Sequence, residues 1–267
     1  METGMQRPIV LAGCGRMGGA ILRGLQSQPD PDRRIFAVDP QTPAAEGATL
    51  LRRFDELPPL EGALVLIAVK PYAVADLLPM LKPLAEAGGV FITIAAGITV
   101  DAIRAGLGDV PVVRAMPNTP AAVLRGITAM AAGPEVDAEA RASSEALLAA
   151  VGEVVWLDEE WQIDAVTGVS GSGPAYFFRF AEGLAKAGEA VGLSPDVAMR
   201  LARRTLEGAG ALAFADERPL AELRVEVTSP GGTTAAALAR FEAGGLDGLV
   251  EEAAKAAFAR AKELGRA

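Results

Sequence analysis

The 267-residue sequence predicts an α/β domain with a mostly parallel sheet, followed by an all-helical domain. Two patterns predict it. Up to Asp158, short unbroken apolar runs alternate with helix-patterned stretches, as parallel strands covered by helices on both faces require. Beyond Asp158 strand signals stop, and long alanine-rich helical stretches take over. The domains are therefore placed at residues 1–158 and 159–267.

Ile9-Val10-Leu11-Ala12 is the first strand; it feeds a glycine loop and a helix over Met17–Ser27. Ile35-Phe36-Ala37-Val38 is the second, ending at Asp39. Leu64–Val69 ends at Lys70-Pro71, and Val90–Ala96 ends at Gly97. Val110–Val113 leads into Met116-Pro117-Asn118-Thr119-Pro120, and Val154–Leu157 is the last strand. Among the helices, Ala175–Val191 reads as one. Ser194-Pro195 supplies an N-cap and a first-turn proline for another, which runs to about Phe214. A shorter helix precedes Ser229, one follows Thr233, and the last runs from Leu246 towards Gly265. Small residues such as Gly183, Ala187, Gly188 and Gly208 permit close helix approach. The remaining apolar surface must pack either on the α/β domain or on a partner subunit.

Composition narrows the function. Hydrophobic residues make up 51% and charged residues 22%, as in a soluble globular protein. With 34 acidic and 25 basic residues and no basic block, the net charge of −9 argues against nucleic acid as a partner. The most apolar stretch, Ala63–Val69, is far too short to span a membrane. Met1–Gln6 has no signal-peptide pattern, and a single cysteine, Cys14, suits a reducing compartment, so a cytoplasmic protein is expected. Histidine is absent, and no Cys or Asp/Glu cluster has ligand spacing, so no metal site is expected. The chemistry must then run on a cofactor, carboxylates, lysines, hydroxyls or backbone groups.

Gly13-Cys14-Gly15-Arg16-Met17-Gly18 matches the G-x-G-x-x-G pattern, set between a strand and a helix. There the first glycine makes the turn, the second admits a pyrophosphate, and the third lets helix and strand pack closely. Asp39, ending the next strand, is placed to accept from a ribose 2′-hydroxyl and to repel a 2′-phosphate; the nearest downstream arginine is Arg52. NAD(P)H is the expected cofactor, with NADH favoured by Asp39. Ala68, Val69, Lys70 and Pro71, with Ala95, Ala96 and Gly97, follow strand ends and are candidates to line the cofactor groove. Lys70 reads either as a phosphate or ribose contact or as a solvated strand-end lysine. Cys14 reads as a small packing residue.

A second anion seat lies near the C-terminus. Val227-Thr228-Ser229-Pro230-Gly231-Gly232-Thr233-Thr234 runs straight into Ala235-Ala236-Ala237. Helix starts carry unpartnered N–H groups and partial positive charge, and preceding glycines let backbone close around a carboxylate or phosphate. The alternative is a Ser/Thr-capped helix after a Pro-Gly turn.

These segments, with Ala68–Pro71, Ala95–Gly97, Met116–Pro120 and Val169-Ser170-Gly171-Ser172-Gly173-Pro174-Ala175-Tyr176, resemble the pyrroline-5-carboxylate reductases over nearly the whole chain. The resemblance implies a Rossmann domain followed by a helical domain that forms an intertwined homodimer, with rings of dimers as a larger assembly. It implies hydride transfer from a nicotinamide to the C=N carbon of a cyclic imine acid, giving L-proline. It implies that Val227, Ser229, Gly231, Gly232, Thr233 and Thr234 bind the substrate, with the Thr234 hydroxyl beside the ring nitrogen. Glu160 matches a family position near the imine, where its charge would hold an iminium cation; a first-turn acid facing a helix dipole is the other reading. Where many relatives have a small polar residue or an arginine after the second strand, this chain has Asp39-Pro40.

Two competitors are weaker. Gly168, Gly171 and Gly173 match the glycines of the β-hydroxyacid dehydrogenase motif, but the positions for its lysine and asparagine hold Phe177 and Ala181. A nucleotide-sensing regulator would not need the Gly231–Thr234 seat.

Overall fold

The computed structural model describes residues 7–28, 30 and 32–265; the Met1–Gln6 reading lies outside them. Two compact units divide the chain, one of residues 1–171 with 257–267, the other of residues 172–256.

The first unit holds one eight-stranded sheet in the order β3-β2-β1-β4-β5-β6-β7-β8. The strands are β1 (Ile9–Ala12), β2 (Ile35–Val38), β3 (Thr49–Leu51), β4 (Leu64–Ile67), β5 (Val90–Thr93), β6 (Val112–Pro117), β7 (Gly126–Ala132) and β8 (Gly152–Leu157). All neighbours pair in parallel except β6 and β7. Strand order reverses about β1, whose neighbours are β2 and β4, and such a switch point opens a crevice at the strand ends.

Helices α1 (Arg16–Gln26) and α4 (Ala138–Ala149) supply one side of the core, and α2 (Val74–Glu86) and α3 (Val100–Leu107) the other. Ile21, Leu25 and Leu148 join Leu11, Leu66 and Ile92 on the first face. Leu81 and Ile103 join Val10, Val65 and Phe91 on the second. Adjacent strand residues thus face opposite layers, which is why these runs are continuously apolar. Each such side chain stabilises the fold by about 1.5–3 kcal/mol relative to exposure.

The sequence reading missed β3 and β7. It also ran β4 and β5 to Val69 and Ala96, whereas pairing stops at Ile67 and Thr93, and it ended at Val113 a strand that continues to Pro117. The short helix α5 (Gln162–Val166) is followed by one wider turn, Thr167–Gly171. Glu160 sits ahead of α5 rather than in its first turn.

The second unit is helical: α6 (Gly173–Ala190), α7 (Pro195–Ala215), α8 (Leu220–Glu226), α9 (Thr233–Ala243) and the start of α10 (Leu246–Leu264). The buried residues of α6 and α7 are all small: Gly173, Ala185, Ala198 and Ala202. Meanwhile Phe177, Phe178, Leu201, Leu212 and Phe214 are exposed, Phe214 at 71%. A monomer rarely leaves this much large apolar surface in water.

Candidate active site

The glycine loop has the geometry of a dinucleotide cradle. Gly13 has φ +97°, a conformation costly to other residues, and its N–H donates to Val38 O at 2.9 Å. A Cβ on Gly18 would lie 2.2 Å from the Gly13 carbonyl oxygen, so only glycine lets α1 start this close to the loop. A Cβ on Gly15 would instead meet nothing within 4 Å. Gly15 is the N-cap of α1 and has no capping side chain, so open space lies over N–H groups suited to a pyrophosphate. Arg16 and Met17 begin α1 directly behind it. These residues fit a dinucleotide.

Asp39 is tied to this loop. Its Oδ2 accepts the Cys14 N–H at 2.7 Å, and its Oδ1 accepts the N–H groups of Gln41 and Thr42, each at 2.8 Å. Burial pushes the Asp39 carboxyl up, but these three donors, with the Thr42 side chain, hold it below the usual carboxylate range. Burial, with the Asp39 charge behind it, pushes the Cys14 thiol up to about 11, as befits a packing residue. Arg52, which the sequence reading set aside as distant, donates from Nη1 to Asp39 O at 3.0 Å and to Thr42 O at 2.6 Å.

Ala68 and Val69 follow β4 against Gly13, with the Ala68 N–H donating to Ala12 O at 2.9 Å; Lys70 is exposed at the turn begun by Pro71. After β5, Ala95 and Ala96 lead to Gly97 at φ +79°, in a turn closed by Ile98 N–H to Ala95 O at 3.2 Å. That loop is anchored from below. Thr99 caps α3 by accepting the Ala102 N–H, and Glu160 Oε1 accepts the Val100 N–H at 2.9 Å. The same Glu160 oxygen lies 3.3 Å from Arg114 Nη1, while Arg114 Nη2 lies 2.6 Å from Asp164 Oδ1. Glu160 is thus engaged with Arg114 and the start of α3. Sequence reasoning missed Arg114, which is 3% exposed in the middle of β6. A lone charge inside Val112-Val113-Arg114-Ala115-Met116, with two acids four apart at Glu160 and Asp164, was the available signal.

In the second unit, α9 begins after a turn in which the Gly232 N–H donates to Ser229 O at 3.0 Å and Gly231 has φ +70°. A Cβ on Gly232 would come within 2.7 Å of Ser229 Oγ. The helix N-cap is Gly232 itself, with no side-chain cap, so the Ser/Thr-cap alternative does not hold. Thr233 and Thr234 form the first turn, and Val227 lies exposed just past α8. Glu160 and Thr234 belong to different units.

The chain is 41% identical to a pyrroline-5-carboxylate reductase of Pseudomonas aeruginosa, over 96% of each chain. It belongs to the pyrroline-5-carboxylate reductase family. The family model for pyrroline-5-carboxylate reductase dimerisation matches residues 160–264. A solved pyrroline-5-carboxylate reductase from Coxiella burnetii superposes with a TM-score of 0.91 at 35% identity, covering 97% of this chain and 98% of that one. A Plasmodium falciparum pyrroline carboxylate reductase solved with NADP bound superposes with a TM-score of 0.83 at 26% identity, covering 98% and 100%. The pyrroline-5-carboxylate reductase fold accounts for the sheet of the first unit and for the helices that follow. Its dimerisation region holds the exposed phenylalanines of α6 and α7, which explains why they lack a core within the chain. Among the described residues no helix is long and apolar enough to cross a membrane.

Proposed function

We propose that this protein reduces L-1-pyrroline-5-carboxylate to L-proline, the last step of proline biosynthesis. The observation that carries the reading is the α9 start, where a glycine N-cap without a side-chain partner leaves backbone N–H groups for a small carboxylate. Membership of a family named for this reaction supports it. The cofactor, NAD(P)H, supplies a hydride to the imine carbon when bound.

The protein's own residues do the rest. Gly13, Gly15 and Gly18 bring backbone close to the pyrophosphate, with Cys14, Arg16 and Met17 completing that loop. Ala68–Pro71 and Ala95–Gly97 line the groove. Gly231, Thr233 and Thr234 seat the carboxylate on backbone N–H groups, while Gly232, its own N–H taken by Ser229 O, shapes the turn; Ser229 and Val227 flank the seat. The Thr234 hydroxyl orients the ring nitrogen, and the iminium is bound protonated or protonated through water, since a threonine hydroxyl is too weak an acid to supply the proton. Glu160 is the acid that matches the family's imine position, and its carboxylate is held by Arg114 and the Val100 N–H. The gain comes from position and charge rather than from a histidine acid.

The same proposal includes NADH as preferred cofactor, because the fixed Asp39 charge opposes a 2′-phosphate. It includes the 1–158 and 159–267 division, a homodimer or a ring of dimers, and a cytoplasmic location without nucleic-acid or membrane partners. Reduction with nicotinamide deuterated at the transferring carbon tests the reaction. Proline with one deuterium at C5 by mass spectrometry is expected; proline without label would exclude direct hydride transfer.

A further inference from the structure

Gly97, in the loop after β5, meets the far end of the chain. A Cβ on it would lie 2.8 Å from both the carbonyl carbon and the oxygen of Leu264, and 2.9 Å from the Gly265 nitrogen. The approach is reciprocal, since a Cβ on Gly265 would lie 3.2 Å from the Gly97 oxygen. Two glycines far apart in sequence thus let the end of α10 press backbone to backbone on this loop. That end of α10 is itself seated: Ala261 is buried, the Gly265 N–H donates to Ala261 O at 3.1 Å, and residues 257–267 group with the sheet. The loop's own bonds are long, with the Ile98 N–H 3.2 Å from Ala95 O and the Ala95 N–H 3.3 Å from Thr93 Oγ1. Ala96 packs against Met116 and Ile163 on one side of Gly97, and the Thr99 cap and the Glu160 bond to Val100 fix the start of α3 on the other. Between these holds, Gly97 rests on α10.

We infer that the last turn of α10 is a brace for the cofactor loop: Leu264 and Gly265 are positioning residues that hold Gly97, and through it Ala95 and Ala96, in the conformation that lines the cofactor groove. They act through the loop, ordering it before the dinucleotide arrives, so that binding need not supply that ordering. The brace is indifferent to the 2′ position of the adenosine ribose and serves NADH and NADPH alike. The inference rests on the proposed dinucleotide groove, and it gives a role to a stretch that reads in the sequence only as the end of a helix.

The test is equilibrium binding of NADH and NADPH by nicotinamide fluorescence, with steady-state kinetics on L-1-pyrroline-5-carboxylate beside it. Gly265→Val pushes the helix end off the loop. It should raise the dissociation constants of both dinucleotides by roughly tenfold, the worth of ordering about one backbone residue. The KM for the imine acid at saturating cofactor should stay within about twofold of the wild type. Gly97→Ala should weaken both dinucleotides at least as much, because its methyl meets the Leu264 backbone at 2.8 Å and its φ is +79°. Both changes break one contact, so the double variant should bind no more than about twofold worse than Gly97→Ala alone; independent changes would give a loss of roughly a hundredfold. Gly265→Ala, whose methyl meets the Gly97 oxygen at 3.2 Å, guards against a valine variant that fails to fold and should raise both dissociation constants about threefold. Three results would overturn the proposal: Gly265 variants that keep the wild-type dissociation constants, a rise confined to the KM of the imine acid, or single changes that combine additively. A wild type that binds neither dinucleotide would instead remove the cofactor reading itself.

Discussion

Replacing Arg114 by methionine should be among the most damaging single changes in the sheet domain. Arg114 is 3% exposed, and its guanidinium lies 2.6 Å from Asp164 and 3.3 Å from Glu160. Methionine fills much of the volume but leaves the two carboxylates without their cation. Removing one partner of a buried pair costs about 3–5 kcal/mol, because the other charge stays desolvated. Glu160 is 30% exposed and Asp164 16%, so water screens part of the loss and the low end, about 3 kcal/mol, applies. At about 2–4 °C per kcal/mol for a domain of this size, the melting temperature should fall by roughly 6–12 °C. The assay is thermal unfolding followed by circular dichroism and by the fluorescence of Trp156 and Trp161, the latter next to Glu160. Adding Glu160→Gln and Asp164→Asn should recover more than half of the loss. A melting temperature unchanged for Arg114→Met, or no recovery in the triple variant, would show that the Arg114 ion pairs do not stabilise the sheet domain.

Gly18→Ala should abolish dinucleotide binding in a fluorescence titration and lower stability by more than about 1 kcal/mol, since its Cβ would sit 2.2 Å from the Gly13 carbonyl. Thr234→Ala should lower kcat/KM by at least about tenfold while leaving cofactor affinity nearly unchanged, which steady-state kinetics and a binding titration check together. Cys14, its thiol pushed up to about 11, should react with iodoacetamide at pH 8 about two orders of magnitude more slowly than in the urea-unfolded chain. Its rate should climb as pH rises towards 11, because only then does the thiolate accumulate.

The sequence made most of the sheet legible because β1, β4 and β5 are buried on both faces and therefore unbroken in apolarity. β3 escaped because it has three residues at the sheet edge and none of them buried. β7 escaped because Gly126-Ile127-Thr128-Ala129-Met130-Ala131-Ala132 is dominated by small residues, which carry no strand preference. Its strand state comes from antiparallel pairing with β6, a tertiary fact.

The site was legible where function depends on backbone. Glycines at 13, 18 and 231 are visible in the sequence because a positive φ or a close backbone approach calls for glycine there. Side-chain partnerships were not. That Asp39 would turn three backbone N–H groups onto itself, that Arg52 would fold back on the same turn, and that Glu160 would find Arg114 depend on which loops meet. No local pattern carries that information.

The proposed reaction takes hydride from NADH to a cyclic imine acid seated on the α9 start. Its most direct measurement is loss of nicotinamide absorbance when L-1-pyrroline-5-carboxylate is added with NADH or NADPH, with proline quantified at the end. One proline formed per nicotinamide oxidised and a higher kcat/KM with NADH are expected. No substrate-dependent oxidation with either dinucleotide would contradict it.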